Sequence, residues 1–535
     1  MPTVATEMPG TPLVPQENTT HQRLVFAADS LQVAATLFAP TEGHVRFVAR
    51  SGAVTIEPQR GISGVLLHLG EQCGYPVSAA MATAAVVSGS PLHIRVIGEP
   101  SATDTAALEA IERFGIATVI PSPAMPPRRP ERGPSWVKPT IEALHNGRIE
   151  AILVLIPPGT LPVWAAQILT EIGENAPVEA SHCIIIASDA DLATVVPVGA
   201  TLVIRDDHLA PRVASVLNRI RAGHLLPGMI AGTSVISRPE ALVAAARMMR
   251  AASETSCVFV DVSDGTTMVV ADEPAVVVHH DPGADFSCGA PALLLRCGVE
   301  RIARWLPFPI DERTLRAWAI RRASLPVAPL VAREDILIAS AFAHAAVSHL
   351  MEMARIGIPN NAHWVIGPAL ARLISPSTAV CFVADLLPVS GVAMVTGDTD
   401  DLFAAVGALS IPYPADASDL LAQDARITIG SAVRTTLTSD RRGSAGQATL
   451  IAGERTWKAD VASNALTTIA CDDTATLTVH GSKPSHNRLA VHGGVAGIVI
   501  DTRRRPVDAA SSVAERPNVS GRLRTAAAME DSSHD

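Results

Sequence analysis

Asp261-Val262-Ser263-Asp264-Gly265-Thr266-Thr267-Met268-Val269 joins two short apolar runs, residues 257–262 and 267–271, across the turn Ser263-Asp264-Gly265. Glycine supplies the backbone freedom a tight reversal needs, and the Val-rich flanks suit a pleated, half-buried surface. A third run, residues 275–279, follows after another short turn. The stretch therefore predicts strand, turn, strand, turn, strand. The start of the chain reads the same way: residues 24–29, 33–39 and 45–49 are apolar runs joined by turns at Ser30 and at Glu42-Gly43-His44. The module recurs roughly 230 residues later, a spacing that means a duplicated subdomain and not a solenoid unit.

Between the two modules the pattern changes. Candidate strands at 93–97, 117–121, 151–156, 183–187 and 201–204 alternate with amphipathic stretches at 105–114, 162–172 and 211–221. Short, fully apolar strands separated by helices predict a parallel sheet covered on both faces. The Pro- and Arg-rich stretch 121–134 reads as a surface loop. A helix carrying Val65, Leu66, Leu67 and Leu69 is expected to stop near Gly74 and Pro76, and another starts at Pro239 and runs to about Ala252. The strongest helix spans 334–355, apolar almost all round, with Gly357 as its closing residue and Pro359 beyond it. Cys381 to Ala384 is a further apolar run, and from about 426 the chain is Thr- and Val-rich and strand-like.

The expected organisation is a disordered N-terminus (1–20), a first subdomain (21–90), an inserted α/β domain (91–235), a second subdomain (236–425), a β-rich region (426–507) and a disordered tail (508–535).

At 535 residues and 48% hydrophobic, the chain can bury several cores, and with only 3% aromatics they must be built from Ala, Val, Leu and Ile. A net charge of -10 without a sustained basic stripe argues against nucleic acid as a partner. Seven scattered cysteines without a Cys-x-x-Cys pair read as buried thiols of a reducing cytoplasm. No signal peptide is recognised, and no uninterrupted apolar stretch of about 18 residues predicts a membrane span. His344 and His349 stand five apart on a helix, a spacing unsuited to a shared metal, and His279-His280 ends a strand.

Four stretches together resemble one family. They are the 261–269 loop; Gly298-Val299-Glu300-Arg301-Ile302 with Trp305-Leu306-Pro307; Trp364-Val365-Ile366-Gly367-Pro368-Ala369-Leu370-Ala371; and Gly493-Gly494-Val495-Ala496-Gly497-Ile498-Val499-Ile500-Asp501-Thr502-Arg503-Arg504-Arg505-Pro506. In order and spacing they are similar to the MutL-type accessory proteins of glutamate mutase, members of the actin/Hsp70/sugar-kinase superfamily, over residues 24 to 516. The resemblance implies an α/β fold: duplicated actin-like ATPase (ribonuclease H-like) domains, an inserted doubly wound parallel-sheet domain and a β-rich C-terminal region. It also implies a protein partner, a cobalamin-dependent mutase, and a nucleotide held between two lobes.

On that resemblance the nucleotide-binding candidates are Asp29, Ser30, Asp261, Gly265, Thr266, Thr267 and Gly367. The loops depart from the family's pattern at Ala27, Asp29 and Ala34, where it has Asp, Gly and a basic residue. They depart again at Ser263 and Asp264 in place of two glycines, at Met268 in place of Asp, and at Pro368-Ala369. A carboxylate such as Asp264 facing a triphosphate repels it by roughly 1 kcal/mol at about 4 Å even in water. The expectation is a degenerate ATPase with no catalytic and no metal residues, at most weak affinity for ATP and magnesium, and a chaperone-like, partner-binding role. Two alternatives are an active reactivating ATPase using Asp29, Ser30 and Asp261, and a ligand site in the insert near Pro157, Ser188 and Asp206. Asp261 also reads as a plain strand end and Thr266 and Thr267 as hairpin residues, Gly493-Gly494 reads as a turn, and Arg503 to Arg505 read as a solvated end.

Overall fold

The structure, a computed structural model, describes residues 22–503 except 30, 42–43, 55–56, 121–136, 160, 176–178, 189–191, 193–195, 228–231, 254, 264, 388–389, 425–427, 438–445, 463–464, 481 and 484–487. Ser30, Asp264, Arg504, Arg505, the whole 121–134 stretch and both expected disordered ends lie outside the described residues.

Strands β1 (Arg23–Ala28), β2 (Gln32–Thr41) and β3 (His44–Val54) form an antiparallel meander, and β4 (Ala82–Val87) lies parallel to β1. The helix Pro58–Cys73 covers this sheet, placing Ile62, Val65 and Leu69 in a core with Leu24, Phe26 and Leu37. It stops at Gly74, whose φ of 75° is left-handed. The chain then leaves for an insert of five parallel strands: β5 (Leu92–Ile97), β6 (Ala117–Ile120), β7 (Ala151–Leu155), β8 (Cys183–Ala187) and β9 (Thr201–Ile204). Their order, β6-β5-β7-β8-β9, reverses beside β5 and is that of a doubly wound sheet. Strand β10 (Ser234–Ser237) returns to the first sheet, parallel to β4, and completes the order β10-β4-β1-β2-β3.

The same plan is then repeated. Strands β11 (Ser256–Asp261), β12 (Thr266–Asp272) and β13 (Ala275–Asp281) form an antiparallel meander, and β14 (Asn361–Ile366) and β15 (Gly391–Gly397) add on in parallel beside β11. In both halves the meander's first strand is central and the two later strands extend the sheet in parallel on its far side. Two such ribonuclease H-like sheets facing each other make an actin-like fold. The second sheet continues through β16 (Thr428–Arg434) into a β-rich extension. There β17 (Thr436–Leu437) pairs with β21 (Ser482–Lys483), while β18 (Gly446–Ala452), β19 (Arg455–Val461), β20 (Leu466–His480) and β22 (Leu489–Asp501) complete a ten-stranded sheet. Gly493 and Gly494 lie within β22, not in a turn.

The helix Arg333–Ala354 is long and apolar enough to cross a membrane, but it is the core helix of the second half, packing Phe342, Ala343 and Val347 among Trp305, Trp364 and Phe382. Its left-handed end is Arg355, at φ 51°, and not Gly357 as expected. Cys381 to Ala384 belong to the helix Pro376–Leu386.

Arg503 is not a solvated end. It is buried and bonded to Asp501 and, through Nη2, to Asp385, whose other oxygen meets His344 Nε2 at 3.1 Å.

Two helices run between the sheets. Arg238–Ser253 and Leu402–Leu409 share one core with Val25, Phe38 and Val86 of the first half and Phe259 and Val365 of the second. They touch so closely that a Cβ on Gly407 would stand 1.9 Å from the Ala241 carbonyl oxygen.

Candidate functional site

Between the two halves opens a cavity of about 540 Å³. Of the predicted residues, Ser30 lies outside the described residues, and Asp261, Gly265, Thr266, Thr267 and Gly367 stand behind the cavity wall and do not line it. Asp29 lines the cavity, but its Oδ1 accepts from the backbone N–H of Leu31 and of Gln32, both at 2.7 Å, so it caps its own turn. Burial pushes its carboxyl up.

Asp261 ends β11 and is buried. Gly367, just after β14, donates its N–H to Val260 O at 2.7 Å. A Cβ there would lie 2.6 Å from Asp261 Oδ1, so the glycine makes room for that carboxylate. Pro368 follows at the first position of the helix Pro368–Leu373. Gly265 has φ 94°, and a Cβ on it would meet Asp281 O at 2.6 Å. Thr266 and Thr267 use their hydroxyls internally: the first donates to the Ala284 carbonyl, and the second bonds His280 Nδ1 at 2.8 Å.

The group that organises the site is Arg238, at the start of the helix following β10. Its Nε donates to Asp261 Oδ2 at 2.5 Å, and its Nη1 and Nη2 donate to Asp401 Oδ2 and Oδ1 at 3.0 and 2.7 Å. All three side chains are more than nine-tenths buried. A bidentate guanidinium–carboxylate pair is among the strongest of charge-assisted contacts. Arg238 holds Asp401 well below the usual carboxylate range, and both carboxylates hold the Arg238 guanidinium well above its ordinary value. Asp398, three residues before Asp401, accepts from the N–H groups of Leu402 and Phe403 at 2.7 and 3.1 Å. Burial and the neighbouring Asp401 push it up to about 7.

A divalent ion does not fit this arrangement. A hard cation needs carboxylate oxygens free to face it. Here Asp261 Oδ2 and both Asp401 oxygens accept from Arg238, and Asp261 Oδ1 accepts from Ser263 Oγ at 2.6 Å. Among the described residues no group of three or more His, Cys, Asp or Glu side chains could hold a metal.

Sequence reading missed Arg238, Asp398 and Asp401. The available signal was the acidic turn Gly397-Asp398-Thr399-Asp400-Asp401 after an apolar run.

In the insert, Arg205 draws the strand ends together. It donates to Asp104, to Ile156 O at 3.1 Å and to Ser188 Oγ at 2.9 Å. The insert also touches the second half next to Asp261: a Cβ on Gly115 would stand 2.3 Å from His280 Cδ2.

No family model matches the chain, and no curated protein matches it. Solved structures do. The reductive activator for a corrinoid iron–sulfur protein is 11% identical, with 75% of this chain and 62% of that one covered, at a TM-score of 0.29. A Chromobacterium violaceum protein assigned as an N-acetylglucosamine kinase is 11% identical, with 73% and 99% covered, at 0.26. The Aquifex aeolicus Ppx/GppA phosphatase is 10% identical, with 70% and 76% covered, at 0.20. The actin-like assignment rests on the strand order of the two sheets.

Proposed function

We propose that this chain is a non-hydrolysing, actin-fold accessory protein that acts in the cytoplasm by binding a protein partner. The resemblance of its motifs to MutL-type proteins points to a cobalamin-dependent aminomutase as that partner. One observation carries the loss of hydrolysis: the Arg238 guanidinium occupies the space between Asp261 and Asp401 where carboxylates would otherwise face a magnesium ion. Phosphoryl transfer from a nucleotide depends on that ion to neutralise developing charge. With it displaced by a fixed guanidinium, the two lobes keep a cleft but lose the means of cleaving ATP in it.

Thermal unfolding with and without magnesium–ATP tests this reading. A ligand present at about a hundred times its Kd stabilises by about 2.7 kcal/mol, so a flat response with no phosphate release is expected. A clear upward shift together with ATP turnover overturns it. Retrieval of a cobalamin mutase with the tagged full-length chain from its own host, unaffected by added ATP, is the expected partner result, and failure to retrieve any mutase counts against the partner.

A further inference from the structure

The cavity left between the lobes is not filled by Arg238, and its walls differ sharply in character. Its lining includes the arginines Arg50, Arg238, Arg322 and Arg372 and the carboxylates Asp29 and Asp401, together with apolar Phe286, Val327 and Leu330. A volume of about 540 Å³ falls within the roughly 300–1,000 Å³ of small-molecule sites, which combine apolar walls with a few convergent polar groups.

We propose that this cleft is a metal-independent site for a small organic anion with an apolar body, the anionic head held by Arg50 and Arg372 and the body lying against the 326–330 strap. The proposal rests on the reading that Arg238 has displaced the metal.

Two of the arginines have spare donors. Arg238 is committed to Asp261 and Asp401. Arg50 reaches Asp401 Oδ2 only at 3.4 Å, and Arg372 spends its Nε on Thr399 O at 2.6 Å. That leaves guanidinium edges of Arg50 and Arg372 beside the cavity, and a planar fork matches carboxylate or phosphate oxygens. Burial and the nearby Arg50 pull Arg372 down. An anion bound beside both eases the repulsion between the two guanidinium groups.

The strap is preformed. Pro326 and Pro329 fix its φ angles, and Arg322 Nη1 donates to Ala328 O at 2.5 Å and Leu325 O at 3.5 Å. Little ordering remains to be done on binding, so an apolar body gains contact at low entropic cost.

Titration of the full-length protein with 2-naphthyl phosphate and with 2-naphthoate, each in EDTA, tests the proposal. Saturable binding of at least one is expected, with inorganic phosphate and 2-naphthol each weaker by about tenfold or more, since either half of the site alone lacks the other's contribution. Arg372→Met and Val327→Asp should each weaken the binding by about tenfold or more, the loss of a charge-assisted bond or of an apolar contact. Both sites are partly exposed, and unchanged melting temperatures confirm folding. No saturable binding of either naphthyl probe, or binding indifferent to both substitutions, overturns the inference while leaving the non-hydrolysing reading in place. Binding that requires magnesium, or ATP competing only with magnesium present, overturns both.

Discussion

Arg238 and Asp401 stand 163 positions apart in the chain and meet as a bidentate pair. Nothing local marks Arg238: Ile236-Ser237-Arg238-Pro239 reads as the ordinary entry to a helix. That Asp29, Asp261, Gly265 and Gly367 sit at turns and strand ends was legible, because such a position shows itself within a few neighbours. The arginine and its second carboxylate were not, since they acquire meaning only from a contact across the fold. The same cluster carries a pH dependence with a definite sign. Asp398 has its folded-state value raised to about 7, so the folded state holds its proton more tightly than the unfolded state, near 3.8. That contribution is fully present below about pH 4 and is lost as pH rises through 7. Asp398→Asn keeps the group neutral at every pH. Urea denaturation from pH 4.5 to 8 should show the wild type losing stability relative to the variant as pH rises, with the difference levelling off above about 8. Parallel profiles mean that Asp398 does not take up the proton. The variant also loses one of the two oxygens that accept from Leu402 and Phe403, which offsets the curves without changing their relative slope.

The helices between the sheets show how much of an element can be read and how much cannot. The two meanders were legible from alternating turns and Val-rich runs, and the core helix from its length. Strand β10 has four residues and β4 reads Ala-Thr-Ala-Ala-Val-Val, too short or too Ala-rich for either period to stand out, so both escaped notice. Leu402–Leu409 is apolar on all sides because it lies inside the shared core, and such a run has no polar face to reveal a helical period. Arg355 took the left-handed cap two residues ahead of Gly357, because the chain closes the helix there through the Arg355 N–H. What the crossing demands is now explicit. A Cβ on Gly407 would overlap the Ala241 backbone oxygen, 1.9 Å away, and neither helix can yield without disturbing the core that joins the lobes. Gly407→Val should destabilise by about 3 kcal/mol, the upper end of overpacking costs, seen as a fall in the urea midpoint. Gly64, in the exposed face of the helix Pro58–Cys73, has nothing within 4 Å of a Cβ. Gly64→Ala should instead stabilise by about 0.5–1 kcal/mol. If Gly407→Val costs no more than an ordinary surface change, the helices do not cross at that glycine.

At the scale of the molecule, the insert packs on the first half, where Ala222 and Leu226 share a core with Leu24, Phe26 and Val235, and it also touches the second half. Arg221, from the insert's helix Leu209–Leu225, donates to the carbonyls of Ser90, Gly115 and Ile116 and fixes the loop that presents Gly115. Gly115, at φ 62°, lies against His280, and His280 is tied to Thr267 one strand away from Asp261. Burial pulls His280 down to about 4, so the ring stays neutral near pH 7 and the charge at this joint is that of Arg221. A change in how far the lobes stand apart must therefore either carry the insert along or part it from His280. Gly115→Ala adds a Cβ at 2.3 Å from the His280 ring and places a side chain in a left-handed backbone, where a non-glycine residue costs roughly 1 kcal/mol. The ring has little room to turn, because its Nδ1 is held by Thr267 and the residue is only partly exposed. The joint should open before either partner unfolds. Hydrogen exchange is expected to quicken at residues 112–117 and 276–281 while β7 and β14, each paired on both sides within its sheet, keep their protection. Exchange that rises throughout the insert would mean that Gly115 serves the insert's own fold, and exchange unchanged at 276–281 would mean that the insert does not bear on the second half at His280.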